Sequence, residues 1–358
     1  MWPDRRLIDL FRIEHPILLA PIAGAMDAEL AIEVCEAGGL GSLPTAMIDP
    51  AQVRSEMARI RGGTRKPVNL NFFSHKPPAL NNAHQVRWRE RLDAYYRELN
   101  IDPAAPVPVT NRVPFDETLC GIMEDLKPEI VSFHFGLPEA GLLKRVKATG
   151  CKLISSATTA EEARWLEGQG VDAVIAQGYE AGGHRSMFLT DDLAAQVGTF
   201  ALVPQVVDAV KVPVIAAGGI GDARGIAAAF MLGAAGVQIG TAFMHCPEAK
   251  ISAFHRAALK SLPSNGTVQT NLMTGRPARY IVNRLVREVG PISDLAPEFP
   301  LAAGALAPLR AKAEAQGSAD FSPMSSGQAA PLGRAMPARE LTRALAAEAQ
   351  ALMQRMAG

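Results

Sequence analysis

The sequence predicts an α/β fold, a (β/α)8 TIM barrel with an insertion after strand 3 and a helical C-terminal extension, and three observations lead there. Short apolar runs rich in Val, Ile and Leu recur along the chain. Each is followed by a Gly, Ser, Thr or Asn turn and then by an amphipathic stretch, often closed by Gly. There are eight such runs. Continuous apolar strands alternating with helices indicate a parallel sheet covered by helices, and eight strand–helix units close a barrel.

The eight predicted strands are Pro16–Pro21, Leu40–Thr45, Val68–Phe73, Glu129–Phe135, Lys152–Thr158, Asp172–Gly178, Pro213–Gly219 and Gly236–Phe243. Cap signals place helices between them. Asp27 opens DAELAIEVCEAGG, which ends at Gly38–Gly39. Thr159 opens TAEEARWLEGQG with Glu162 three residues on, a capping box. Asp222 opens DARGIAAAFMLGA, which ends near Gly233. Residues 1–262 form the expected barrel. Residues 74–127, about two helices in size and partly Pro-rich, are expected as an insertion over the barrel mouth. Residues 263–358 are expected as a helical lid folding over the active face, with PISDLAPEFPLAAGALAPL loop-like and a terminal helix after Gly333.

Composition bounds the function. Thirty-six basic and 36 acidic residues leave zero formal net charge, which argues against a nucleic acid or an anionic membrane as partner. The four cysteines, Cys35, Cys120, Cys151 and Cys246, form no CxxC pair and no zinc-spaced cluster with His. There is no HExxH, no DxD and no GxSxG, so no metal site is expected. The N-terminal apolar stretch is short, flanked by acids and broken by Pro21, so it is neither a good signal peptide nor a membrane span. A cytoplasmic protein is expected.

Barrel active sites are built at the C-terminal ends of the strands, and polar or Gly residues recur there. Gly218–Gly219 and Gly240–Thr241 follow the seventh and eighth strands. Glycines let backbone N–H groups approach phosphate oxygens, and the Thr241 hydroxyl adds another bond. Tight βα turns would explain either glycine pair alone; the two together at this spacing point to a phosphate ligand. No GxGxxG follows strand 1, so a Rossmann reading fails. Beyond strand 6, EAGGH places His184 on a flexible-backbone loop next to the phosphate loops, where it suits a general base. Glu180 either orients His184 or caps a loop. His134, inside SFHF, is either a substrate-pocket residue or a satisfied core histidine. The remaining histidines, His15, His75, His84, His245 and His255, show no partner pattern and are expected to be structural or exposed. The amides of Asn69 and Gln177 either flank a planar ring, matching the donor and acceptor edge of an isoalloxazine, or cap loops in the ordinary way.

Several segments together carry a resemblance. PILLAPIAGAMDAELAIEVCEAGGLGSL, KPVNLNFFSHKP, VSFHFGLP, ATTAEEARWLEGQGVDAVIAQGYEAGGHR, PVIAAGGIGDARGIAAAFMLGAAGVQIGTAF and MTGRPARYIVNR resemble the FMN-dependent nitronate monooxygenases, in the class that oxidises propionate 3-nitronate. The resemblance implies that Ala20, Pro21 and Ile22 run along the flavin ring and that Asn69 and Gln177 contact it. It implies that Gly182, Gly218, Gly219, Gln238, Gly240 and Thr241 hold the FMN phosphate arm, with Gly183 beside them. It gives His184 the catalytic role. The implied reaction oxidises a nitronate, or a nitroalkane after loss of its α-proton, with O2 to a carbonyl compound and nitrite. One departure stands out: Phe299, Ala303 and Ala307 lie where the resembling sequences usually carry tyrosines and a lysine, so a more apolar substrate pocket is expected. Two other readings use the same scaffold. One is an NAD(P)H-dependent flavin reductase of the enoyl-acyl-carrier-protein or quinone type. The other is a non-catalytic barrel that binds a phosphorylated metabolite.

Overall fold

The computed structural model describes residues 2–79, 81–108 and 112–357. Its strands are β1 (Ile17–Leu19), β2 (Gly41–Pro44), β3 (Val68–Phe73), β4 (Ile130–His134), β5 (Lys152–Ala157), β6 (Ala173–Gln177), β7 (Gly183–His184), β8 (Val214–Ala217), β9 (Gly236–Ile239), β10 (Thr267–Thr270) and β11 (Ala278–Ile281). Eight of them form one parallel sheet in the order β1-β9-β8-β6-β5-β4-β3-β2. The ring closes where Leu18 bridges Leu40 in parallel and Leu19 N–H donates to the Leu40 carbonyl at 2.9 Å. Each barrel strand lies inside one predicted run. The eighth run stops short of Phe243 because Gly240 caps a one-turn helix, Thr241–Met244.

Alternation along each strand divides the core into two layers, as the two-residue side-chain period requires. Leu18, Ile130, Ile154, Ile175 and Ile215 pack inside the barrel, joined at its floor by Leu7 and Phe11 of the N-terminal helix Arg6–Phe11. Their neighbours Ile17, Leu19, Val131, Leu153, Val174 and Val214 face the helical ring. Full burial of Leu7 and Phe11 contributes roughly 1.5–3 kcal/mol each.

The predicted caps hold at Asp27, which accepts from Glu29 N–H, and at Asp222, which accepts from Arg224 N–H. At Thr159 half of the capping box forms. Thr159 accepts from Glu162 N–H at 3.1 Å, but the Glu162 carboxylate turns away. It accepts from Thr158 N–H (2.6 Å), the Thr158 hydroxyl (2.8 Å) and the amides of Phe188 and Leu189 (2.5 and 3.1 Å). Four donors outcompete the single cap bond.

Three elements differ from expectation. Helix Glu117–Leu126, counted within the insertion, packs against helices Pro50–Gly63 and Ala140–Ala148 and belongs to the barrel ring. The terminal helix Ala338–Ala357 does not cover the active face. It packs against helices Ala223–Met231 and Ala28–Glu36 and occupies the ring position after β9. Its buried Ala338, Leu341, Leu345 and Ala349 repeat at helical spacing, which makes one apolar face for that slot. Finally, part of the loop-like stretch is helix Ala302–Ala315, despite Gly304 and Pro308. Tertiary packing overrides propensity there. Trp88, Leu92 and Tyr96 of the insertion helix Asn82–Glu98 form a second core with Leu306 and Leu309. Trp88 Nε1 donates to the Ala302 carbonyl at 3.2 Å and the Tyr96 hydroxyl to the Ala305 carbonyl at 2.6 Å. This core includes Tyr280 of β11, in the small antiparallel sheet β10-β11-β7.

Candidate active site

A cavity of about 510 Å³ opens at the C-terminal ends of the barrel strands. It is walled by Ala20, Pro21, Ile22, His134, Gln177, Gly182, Gly183, His184, Gly218, Gly219, Gln238, Gly240 and Thr241. The strand-end residues singled out from the sequence thus meet around one space, with one exception. Asn69 does not reach the wall. Its Nδ2 donates to Ser42 Oγ (3.0 Å) and Ser132 Oγ (2.9 Å) inside the barrel, and its buried Oδ1 has no partner among the described residues.

The glycines form a cradle that side chains would fill. Gly218 and Gly219 have φ of +103° and +71°, a region costly for residues with a Cβ. A Cβ on Gly182 would lie 2.6 Å from the backbone N of Gly327. Thr241 Oγ1 accepts from that same Gly327 N–H at 2.9 Å, which ties Ser325–Ser326–Gly327 to the cradle. This segment was missed in the sequence; a Ser-Ser-Gly run was its only signal. His255, expected to be structural or exposed, lines the cavity and donates from Nε2 to the Ser325 carbonyl at 2.9 Å. Gln238 presents a buried Oε1 with no partner among the described residues.

His184 sits on β7 rather than on a free loop: it pairs with Ala278 of β11. The Gln177 amide clamps it from both sides, donating to the His184 carbonyl (3.0 Å) and accepting from Ser186 N–H (2.9 Å). Buried Arg185 donates to the carbonyls of Gly178 (2.6 Å) and Gln177 (2.7 Å) and fixes the turn to the end of β6. Glu180 does not orient His184. Its carboxylate accepts from the N–H and hydroxyl of Thr199 (both 2.8 Å) and so caps helix Thr199–Ala209.

The ring of His184 lies against Phe299, Phe135 and Phe73, with centroids 5.1, 5.9 and 6.1 Å away. Burial, reinforced by the Arg112 and Arg276 cations, holds its pKa well below the usual histidine range, so the imidazole is neutral at neutral pH. Buried Thr274, also missed in the sequence, sets its tautomer. The Thr274 hydroxyl donates to the Arg276 carbonyl (3.4 Å), and its oxygen accepts from His184 Nε2–H (2.9 Å). Nδ1 is left as the basic nitrogen. His134 carries the same inventory in reverse. Asn71 Nδ2 donates to its Nδ1 at 3.0 Å, so a neutral His134 keeps its proton on Nε2, and burial pushes its pKa down to about 4.

The family model described as nitronate monooxygenase matches residues 4–348. The chain belongs to the nitronate monooxygenase family. It is an oxidoreductase of that family. Nitronate monooxygenase from Pseudomonas aeruginosa is 40% identical over 347 residues, 96% of this chain and 98% of that one. Nitroalkane oxidase from Streptomyces ansochromogenes superposes with a TM-score of 0.89 at 36% identity, covering 99% and 100% of the two chains. FabK from Thermotoga maritima superposes with a TM-score of 0.76 at 28% identity, covering 100% and 99%. Within this nitronate monooxygenase fold, Phe299 packs on His184, whereas neither Ala303 nor Ala307 lines the cavity. Arg112, Tyr280 and Arg310 do, so the wall mixes aromatic and charged groups. Among the described residues no helix is long and apolar enough to cross a membrane.

Proposed function

We propose that the protein oxidises alkyl nitronates, and nitroalkanes after deprotonation, with O2 to carbonyl compounds and nitrite, using FMN held in this cavity. The observation that carries the proposal is the junction in one space of a glycine cradle and a neutral histidine with a free Nδ1. The residues fit the cofactor. Gly182, Gly218, Gly219, Gly240 and Thr241 would hold its phosphate, where the cradle has no room for side chains at Gly182 and left-handed backbone at Gly218 and Gly219. Ala20, Pro21 and Ile22 would border the ring, and the unpaired Gln238 Oε1 offers it a hydrogen-bond acceptor. Gln177 would act by fixing the backbone on both sides of His184. When bound, FMN supplies the electron-accepting chemistry, with O2 as final oxidant. His184 Nδ1 takes the α-proton of a neutral nitroalkane, while Thr274 holds the opposite nitrogen. A nitronate arrives already deprotonated and does not require that step. His134 Nε2–H offers a donor from the facing wall.

The reductase reading uses the same scaffold, and one experiment separates the two. The purified protein is mixed anaerobically with ethylnitronate or with NADH, and the flavin absorbance near 450 nm is followed, a band on the order of that expected for oxidised flavin. Bleaching by ethylnitronate, and nitrite release once air is admitted, is expected. Bleaching by NADH alone would assign a reductase. A colourless protein that does not take up FMN would end both readings.

A further inference from the structure

Five arginines at this end of the barrel, of which Arg112 and Arg310 line the cavity, differ in how their guanidinium is held. Arg185 donates to backbone carbonyls of Gln177 and Gly178. Arg276 donates to the Met187 carbonyl and lies over the Phe135 ring at 4.3 Å. Arg279 donates to the Tyr179 carbonyl at 2.9 Å. Arg310 pairs with Glu314 at 2.8 Å. Arg112 lines the cavity, and no carboxylate pairs with it among the described residues. Burial is the largest influence against its charge; the Tyr280 oxygen favours it, and Arg310 opposes it. Arg112 is half-buried, and withdrawing a guanidinium from water without an opposite charge is unfavourable. Such a cation persists where a ligand brings the missing anion. On the wall that it shares with His184, His134, Phe73 and Tyr280, neither histidine carries a charge at neutral pH, so Arg112 supplies the positive charge beside them.

We infer that Arg112 is a specificity-determining residue that binds a planar, negatively charged two-oxygen group of the substrate. A guanidinium fork matches such a group through two parallel N–H···O bonds. Both a nitronate and a carboxylate on the same molecule have this shape. The inference rests on the proposed nitronate chemistry for its substrate, and not for the binding itself. Beside the pocket read from Phe299, Ala303 and Ala307 it sets a site of mixed character: an aromatic wall at His184 and a guanidinium with no hydrogen-bond partner among the described residues.

The test uses the flavin-loaded protein, wild type against Arg112→Met and Arg112→Lys. Calorimetric titrations with sodium nitrate and with sodium propionate report anion binding. Turnover is measured with ethylnitronate and with propionate 3-nitronate. Arg112→Met is expected to weaken binding of at least one anion by roughly 10- to 100-fold, the range for a lost charge-assisted contact, with Arg112→Lys recovering part of it. If ethylnitronate kcat/KM falls through KM, the nitronate is the bound group. If ethylnitronate is spared while propionate 3-nitronate and propionate both weaken, the carboxylate is. Unchanged titrations and unchanged KM values in Arg112→Met would overturn the inference. Should wild type oxidise no nitronate, the proposed function fails. The nitrate and propionate titrations then still decide on Arg112: binding lost in Arg112→Met sustains it, and no difference refutes it. Should Arg112→Met not fold, the same comparison is read from Arg112→Lys, where a shifted anion affinity at unchanged melting temperature sustains the assignment and an unchanged affinity refutes it.

Discussion

His184 Nε2 lies 2.9 Å from Thr274 Oγ1, a contact that spans 90 residues of sequence and decides which imidazole nitrogen is basic. Thr274→Val removes the hydroxyl and keeps the shape. Turnover of nitroethane should fall roughly 10-fold or more, as for other residues that orient a reactive histidine, while ethylnitronate turnover is spared. Thr274→Ser should restore the rate. Equal losses on both substrates would mean that Thr274 serves packing alone.

Replacing the base itself should be more severe. His184→Asn is expected to leave the flavin bound and to lower nitroalkane kcat/KM by ~10²–10⁴, the usual contribution of a general base. Steady-state kinetics beside a flavin absorbance spectrum check both halves. Retained nitroalkane turnover would remove His184 from proton transfer.

Gly182 has no space for a methyl group, since its Cβ would meet Gly327 N at 2.6 Å and Ser326 C at 2.8 Å. Gly182→Ala must push Ser325–Gly327 away from the cradle. The protein should lose roughly 1–3 kcal/mol of stability, typical of overpacking, and its flavin should wash out on gel filtration. A variant that keeps full flavin content would show that the cradle is not where the phosphate binds.

Buried Glu162 collects four donors from Thr158, Phe188 and Leu189. Glu162→Ala leaves those amides without a partner, and each buried unsatisfied group costs roughly 1–3 kcal/mol. A drop of several kcal/mol in urea unfolding is expected, with Glu162→Gln recovering part. A drop below 1 kcal/mol, roughly the net worth of one ordinary bond, would show that water replaces the carboxylate.

The histidines set an acid limit. Burial lowers the pKa of His75, His134 and His255 to about 4, and holds that of His184 well below the usual histidine range. In the unfolded chain these groups bind protons below about 6.5. Between that pH and about 4 the unfolded state therefore holds more protons than the folded one, and stability falls as pH falls. Urea midpoints at pH 7.5, 6 and 4.5, values on the order of this window, should decrease in that order. A flat series would mean that the four rings are solvated.

Much of the barrel was legible because its signals are local. A run such as AVIAQ of β6, or the Asp222 cap before ARGIAAAFM, carries its own structure within a few residues. The cradle glycines were readable for the same reason, since left-handed backbone at Gly218 and Gly219 needs a particular residue type. Thr274, Arg112 and Ser325–Gly327 were not readable as site residues. Nothing in their neighbours says that they face His184 or Gly182, because those contacts close across 72 to 145 positions. Asn69 fails for a different reason: it is the second residue of β3, at the end of the strand away from the cavity, and Ser42 and Ser132 hold its amide.

By itself, then, the sequence determined the alternation of strand and helix, the caps, and the glycines and histidine gathered at one end of the barrel, all products of short-range sterics and hydrogen bonding. Only the tertiary structure decided which nitrogen of His184 is basic, which helix fills the last slot of the ring, and that Arg112 lines the cavity without a carboxylate partner among the described residues. Those outcomes depend on which distant groups satisfy a proton, an apolar face or a charge, and chain folding alone brings such partners together.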